Sequence, residues 1–396
     1  MPRFSIVIPT FNRAHLLPLA VRSVLCQSFE NYEIVISNGG STDNTREVVQ
    51  SFDDPRVRYI ESASRLSISE NYQQGLDSST GEYVTFLSDD DAYTQNLLNR
   101  VNDVISETDS QIVGYQYCRY YHDDSRDFEI DIPKNSLLVP SFDSVISIFS
   151  AIEALEYVLS LHALSSVPPD PRFVCPYLSN ATYHRSIFDK LKRRRRNLFD
   201  MVPADIYLAA AVFFEANSYA CLDEPLLVWS NWEGNATATA NRTEDRLTAH
   251  YERLLKGQRL EHTPLKFALA LNCGANAVLE AMYERDYFDD RFDWVTYFVK
   301  TYENFMFLKG AGVDTSEQES EFAAVLSCQP IEISQAVHAK LSKTKFRIKA
   351  FLNSRTPNFA ASLRRLAGRG IDRKTKLKQG SLVGFSDILE ASRNVI

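Results

Sequence analysis

An α/β fold built on a mixed, mainly parallel sheet with flanking helices is predicted by three features of the first hundred residues. Short runs of β-branched and aromatic residues alternate with stretches whose apolar residues recur at helical spacing. The polar residues that carry chemistry fall just after the apolar runs, where open parallel sheets bind their ligands. No run approaches the roughly 18 apolar residues of a membrane span, and the most apolar helical stretch, Tyr207 to Phe214, is too short for one.

Taken in order, "FSIVIP" (4–9) reads as a first strand, and 14–27 as a helix with Leu17, Val21, Val24 and Leu25 on one face. "YEIVIS" (32–37) is a second strand, followed by a polar turn and a helix over 42–52. "VRYIE" (57–61) is a third. A helix over 67–79, with Ile68, Tyr72, Gly75 and Leu76 on one face, leads into "EYVTFLS" (82–88), the fourth. Strands and helices in this alternation imply right-handed βαβ crossovers.

The fourth strand ends in Asp89, Asp90 and Asp91. Like charges about 4 Å apart repel by about 4 kcal/mol at an effective dielectric near 20, so something must offset them. Solvent on an open surface does so, with Asp91 capping a helix that begins near Ala92. A hard divalent cation also does so, since Mg²⁺ takes one or two carboxylates and completes its shell on substrate phosphates. "PTFNR" (9–13) and "SNGGSTDNT" (37–45) follow the first and second strands. Three strand ends thus converge, which favours the cation. The first crossover lacks G-x-G-x-x-G and no G-x-x-x-x-G-K-[ST] occurs, which weighs against a dinucleotide cofactor and a P-loop.

The chain of 396 residues has room for two or three domains. Its six cysteines form no CxxC pair and, with seven scattered histidines, offer no zinc spacing, so free thiols are expected. The strand beginning at Phe4 leaves no space for a secretory leader, so a cytoplasmic protein is expected, with no nucleic-acid partner. The net charge of −8 hides a segment over 340–378 of about +12.

"SIVIPTFNR", "GGSTDNT" and "GEYVTFLSDDD" resemble the nucleotide-binding half of the inverting family 2 glycosyltransferases, over about residues 4–105. A looser resemblance runs to about Trp232 through "ATYHRSIF", "PADIYLAAAV" and "LDEPLLVW". It implies the GT-A (Rossmann-like) fold and a divalent cation, Mn²⁺ or Mg²⁺, bridging the diphosphate of a nucleotide sugar, in the first instance a UDP-sugar. By the same resemblance Asp90 is the first metal ligand, Asp91 a second ligand or a helix cap, and Asp89 faces the donor ribose or sugar. Pro9, Thr10, Arg13, Asn38, Gly39 and Asn71 complete the donor site. The family usually has an Asp where Asn38 and Gly39 stand, and an amide donates as well as accepts, so base recognition is altered.

Inverting transfer needs a carboxylate to take the acceptor hydroxyl's proton. Asp205, at the start of an apolar helix, matches the family's base; an Asp there also suits the helix dipole, and Asp200 and Glu224 are the fallbacks. "KLKRRRR" (190–196) is a solvated helix face or an attractor of an anionic acceptor. Trp229 and Trp232 are candidates for stacking on a sugar, with core packing the better fit for one of them.

The expected organisation is a glycosyltransferase domain over 1–235, with a nucleotide-sugar half (1–105) and an acceptor half (106–235). A helical extension (236–336) and a basic amphipathic arm (337–396) follow. In the arm, Val337, Leu341, Ile348, Phe351 and Leu352 share a helical face flanked by cations. A second stripe joins Phe359, Leu363 and Leu366 to Arg364, Arg365 and Arg369. This pattern predicts either peripheral contact with an anionic membrane through 337–378 or packing on the acidic body. The expected activity is metal-dependent inverting transfer of a sugar to a hydroxyl of a glycan or lipid-linked acceptor. A nucleotidyltransferase and a non-catalytic nucleotide- or glycan-binding scaffold are the rivals.

Overall fold

The structure, a computed structural model, describes residues 1–122, 134–159, 172–201, 203–232, 260, 263–266, 273–287, 292–310, 314–352 and 388–393. The four predicted strands are β1 (Phe4–Thr10), β2 (Tyr32–Asn38), β3 (Val57–Glu61) and β4 (Tyr83–Phe86). They are joined by α1 (Leu17–Leu25), α2 (Thr45–Gln50) and α3 (Ile68–Ser78). β1, β2 and β4 are buried throughout, as strands covered on both faces must be. The helix α3 begins on a capping box: Ser67 Oγ accepts from Glu70 N at 3.2 Å and Glu70 Oε2 accepts from Ser67 N at 2.8 Å. It lies so close to β1 that a Cβ on Gly75 would sit 2.4 Å from Val7 Cγ1, and only glycine permits that approach. Ile68, expected on the buried face, is 69% exposed, because the buried stripe of α3 begins only at Asn71 and continues through Gly75 and Leu76.

The remaining strands are β5 (Ala92–Tyr93), β6 (Ile112–Tyr121), β7 (Ser136–Leu138), β8 (Ile146–Ser150), β9 (Ala181–His184) and β10 (Ser218–Asn231). One ten-stranded sheet runs β3-β2-β1-β4-β9-β6-β10-β5, with β7 on β6 and β8 on β10. The pairings β1–β2, β2–β3, β1–β4 and β6–β10 are parallel, and β9, β5, β7 and β8 are antiparallel insertions. The expected helix after Asp91 is therefore not there. Ala92 and Tyr93 pair with Val228 and Leu227, and the helix α4 (Leu97–Thr108) starts only after Asn96. Asp91 is no helix cap, because cross-strand pairing with β10 holds its neighbours extended.

Helices α5 (Ala151–Leu159), α6 (Arg185–Lys192) and α7 (Ala204–Ala211) cover one face of the sheet, and α1, α2 and α4 cover the other. His184 is structural: its imidazole caps α6 by accepting from Ser186 N at 3.3 Å. A helical region follows, with α8 (Cys273–Tyr283), α9 (Trp294–Gly310), α10 (Ser316–Ser327) and α11 (Ile331–Leu352). α8 packs on α7, so the extension backs the helix that carries Asp205. α11 runs across position 337, and Val337 and Leu341 are buried with Phe298, Phe305 and Phe322 in the same core. The first two apolar positions of the arm thus pack on the body. Side chains 343–352 and all of 353–378 lie outside what can be described.

A last short helix, α12 (Ile388–Arg393), returns to the first half of the chain. Ile388 and Ala391 are buried with Ala92, Cys118, Tyr120 and Val228, directly behind the strand that follows the Asp triplet. Among the described residues all six cysteines are free thiols; Cys118, Cys221 and Cys273 are buried, whereas Cys26 and Cys328 are exposed.

Candidate active site

The parallel register aligns the carboxyl ends of the central strands: Thr10 pairs with Asn38, and Asn38 with Glu61. The loops after β1, β2 and β4 therefore open on one crevice. The Asp triplet bridges β4 to β5, and all three carboxylates are buried. Arg13 reaches in from the loop after β1, its Nη1 lying 2.7 Å from Asp89 Oδ1 and 3.2 Å from Asp90 Oδ2. Asp90 is gripped from two more sides, by the Ser88 hydroxyl on Oδ1 and by Trp232 Nε1 donating to Oδ2 at 2.8 Å. Asp91 Oδ1 accepts from the backbone N of Ser230 at 2.8 Å. Arg13 also stacks over Trp232, 5.4 Å from the ring, with His15 edge-on to the indole.

One guanidinium among three carboxylates leaves an excess of negative charge out of water. Burial pushes the Asp89 carboxyl up to about 6, with Arg13 drawing it down and Asp90 raising it further. Burial and then Asp90 push Asp91 well above the usual carboxylate range. Such groups gain from a counter-cation, and their position in a crevice marks a functional site.

The floor of the crevice is a set of buried polar links. Gly39 N donates to Thr10 O at 3.0 Å, Asn71 Nδ2 donates to the same carbonyl at 3.0 Å, and Ser37 Oγ donates to Asn71 Oδ1 at 2.7 Å. A Cβ on Gly39 would press on Asn71 Nδ2 at 3.0 Å. Pro9 and Thr10 are the last residues of β1. Asn38 is fully occupied inside the protein: Nδ2 donates to Tyr59 OH at 2.7 Å and Glu61 Oε1 at 3.3 Å, while Oδ1 accepts from Ser41 N at 2.9 Å and Ser41 Oγ at 2.6 Å. The amide fixes the turn; a contact to a bound base through it requires one of these bonds to break.

Asp205 sits in the first turn of α7, half-buried, with Oδ1 accepting from Ile206 N at 3.0 Å. Burial raises the pKa of the Tyr72 hydroxyl, and the charges of Asp89, Asp90, Asp91 and Asp205 raise it further. The two fallback carboxylates are committed elsewhere. Asp200 binds Arg195 Nε at 2.6 Å, and Glu224 forms a two-pronged pair with Arg100 at 3.0 and 2.6 Å.

Residues 5–154 match the family description "Glycosyl transferase family 2". These residues form a family 2 glycosyltransferase domain. Among curated relatives, the glycosyltransferase domain is similar to the GalNAc(5)-diNAcBac-PP-undecaprenol beta-1,3-glucosyltransferase of Campylobacter jejuni. The two are 36% identical over 124 residues, 29% of this chain and 38% of that protein. Glycosyltransferase GlyG of Streptococcus pneumoniae is 30% identical over 122 residues, 30% of this chain and 40% of that one. The chain therefore spans less than half the length of these relatives. Over nearly the whole chain the fold resembles that of Staphylococcus aureus TarS 1–349 in complex with UDP-GlcNAc. The TM-score is 0.52 at 13% identity, covering 93% of this chain and 90% of TarS. The GT-A fold expected from the sequence is thereby shown.

The structure contains links that the sequence did not reveal. Trp232 lies 142 positions from Asp90, and no pattern announces the indole bond between them. Ser88 stands in the same turn as Asp90, but its side-chain contact depends on a turn geometry that the sequence does not specify. The basic run at 190–196 is not one free cationic face. Lys190 binds Glu215 O, Lys192 pairs with Asp77, and Arg195 bridges Asp200 and Glu284. Only Arg193, Arg194 and Arg196 of this run are exposed, and Arg194 has Glu215 3.7 Å away.

The raised pKa of Asp91 has a stability consequence with a definite sign. The folded state favours the neutral carboxyl, so the penalty of the charged form is present above the folded pKa and fades as pH falls through it. Asn at 91 keeps an acceptor for Ser230 N and removes that penalty. Ligand-free Asp91→Asn is expected to melt above the wild type at pH 7.5, by about 2–4 °C for each ~1 kcal/mol relieved. The gap should narrow toward pH 5, and a variant that melts lower at pH 7.5 contradicts this electrostatic account.

Proposed function

We propose that the protein is a metal-dependent inverting glycosyltransferase that moves a sugar from a nucleotide sugar, in the first instance a UDP-sugar, to a hydroxyl of a glycan or lipid-linked acceptor. The observation that carries the reading is the buried Asp89–Asp91 triplet at the carboxyl edge of the sheet, held by Arg13 and Trp232 inside a family 2 glycosyltransferase domain. Among the described residues no three His, Cys, Asp or Glu side chains form a ready metal cage. A cation that takes one or two carboxylates and completes its shell on a diphosphate needs none. The donor set fits such an ion, because it offers only hard carboxylate oxygens carrying excess negative charge. Asp90 and Asp91 would hold Mg²⁺ or Mn²⁺, which when bound neutralises charge on the departing diphosphate.

The chain's own residues then divide the remaining work. Arg13 orients Asp89 and Asp90 and adds positive charge beside the diphosphate; the Thr10, Gly39 and Asn71 links hold the nucleotide side of the crevice in place. The Asp205 carboxylate takes the proton of the attacking hydroxyl in a single displacement. Lipid-linked acceptors are supported by the polyprenyl diphosphate in the name of the Campylobacter jejuni relative. The test is a panel of nucleotide sugars with Mg²⁺ or Mn²⁺, read by thermal stabilisation and by donor hydrolysis. A UDP-sugar is expected to stabilise the protein in a cation-dependent way, and no stabilisation by any nucleotide sugar counts against the reading.

No helix among the described residues is long and apolar enough to cross a membrane. Peripheral contact at the inner face of a membrane remains part of the proposal, carried by the cations of 340–378. Because Ile388 and Ala391 are buried against the domain, deleting the whole arm would uncover its core. The sharper variant replaces Arg364, Arg365 and Arg369 with Gln. Wild type is expected to sediment with anionic liposomes at low salt and the variant to lose most of that binding. Equal sedimentation of the two assigns the arm's cations to the acidic body instead.

A further inference from the structure

Among the described residues most half-buried arginines have carboxylate partners, as Arg13 has Asp89 and Asp90, Arg56 has Asp54, Arg58 has Glu33, Arg100 has Glu224, and Arg195 has Asp200 and Glu284; Arg185 is instead satisfied by Gly81 O and the Ser79 hydroxyl. Arg119 is different. It is only partly exposed, and among the described residues no carboxylate lies within ion-pair distance of it. Its neighbours are aromatic. The guanidinium lies 5.5 Å from the Trp229 ring and 5.7 Å from the Tyr117 ring, and Nη2 donates to Tyr117 OH at 3.4 Å. Cation–π contacts of this kind hold the fork in one orientation. They do not neutralise it, and a largely desolvated cation with no carboxylate partner among the described residues gains from an anion that completes the site.

The position of this cation gives it meaning. Arg119 and Trp229 face each other across the β6–β10 pairing, one residue before Ser230, whose backbone N binds Asp91. Tyr117 lies two residues earlier on β6. The strand order puts this cation beyond β4 and β9, on the side away from the loops after β1 and β2. Trp229 is partly exposed and offers an apolar ring face of the kind that packs on sugars.

We infer that Arg119, Tyr117 and Trp229 form an acceptor subsite for an anionic sugar, with the Arg119 fork on a phosphate or carboxylate group and Trp229 against the ring that carries it. The inference rests on the glycosyltransferase reading for the word acceptor, but anion binding is measurable without turnover. The experiment uses the full chain with UDP and Mg²⁺ at saturation, so that the probes do not report on the diphosphate site. Tryptophan fluorescence follows titration with glucose 6-phosphate, glucuronate and methyl glucoside, for the wild type and Arg119→Gln.

One or both charged probes are expected to saturate in the wild type and to weaken at least about tenfold in the variant, with the neutral sugar's response unchanged. Selective loss for the phosphate or for the carboxylate probe tells which anion the acceptor carries. The rise in melting temperature with UDP is the control for folding. If wild type and Arg119→Gln respond alike to all three probes, or no probe binds, Arg119 is a packing residue and the inference is overturned. Failure of UDP to bind the wild type counts against the proposed function, and the anion titration is then read without it.

Discussion

Asp90→Asn is expected to abolish measurable turnover, a loss of at least about 10³-fold, while the protein stays folded. Both carboxylate oxygens of Asp90 are in use: Oδ1 accepts from Ser88, and Oδ2 faces Trp232 Nε1 and Arg13 Nη1. An amide turns one of those oxygens into a donor, so either Ser88 or the Trp232–Arg13 pair meets an N–H instead of a lone pair. The substitution also removes the charge that the proposed cation and diphosphate would require, and removing a single preorganised electrostatic contact of this kind costs about 10²–10³ in rate. Steady-state release of nucleoside diphosphate is the readout. Excess EDTA on the wild type is expected to produce the same loss, and full activity in EDTA contradicts the metal-dependent mechanism whatever the variant does.

The second large effect concerns Asp205. General-base catalysis contributes about 10²–10⁴ in rate, so Asp205→Asn is expected to lower kcat by at least about 10²-fold. Binding of the donor should be nearly unchanged, because Asp205 belongs to α7 and not to the nucleotide loops. The bond from Ile206 N survives in the amide, so the helix start should be retained. Wild-type kcat in this variant would remove Asp205 from the mechanism. Asp200 and Glu224 are poor substitutes, since each is held in an ion pair with an arginine.

The first hundred residues were legible because their pattern is local. Each strand from β1 to β4 is a short apolar run, each polar loop follows its strand directly, and parallel register brings Thr10, Asn38 and the Asp triplet to one edge. What stayed hidden depends on pairing between distant residues. A two-residue strand such as Ala92–Tyr93 has no sequence signature, and its existence is decided by Leu227 and Val228. That is why Asp91 read as a helix cap when it is the acceptor for Ser230 N.

The indole of Trp232 looked like a sugar platform, whereas its N–H is fixed on Asp90. Asn38 was visible as a departure from the family's Asp, but its bonds to Tyr59 and Glu61 emerge only once β3 lies alongside β2. The cations of 190–196 read as one patch because sequence spacing says nothing of Glu215 and Glu284, which arrive from other helices' ends to bind them.

The central claim is that the Asp triplet serves transfer of a sugar from a nucleotide sugar, and it is tested most directly by identifying products. The protein is incubated with the nucleotide sugar that stabilises it most, a divalent cation and a hydroxyl acceptor, and the mixture is followed by phosphorus and proton NMR. The account predicts release of nucleoside diphosphate together with a glycoside whose anomeric configuration is opposite to that of the donor. Release of pyrophosphate from a nucleoside triphosphate, a product of retained configuration, or binding without any product contradicts it.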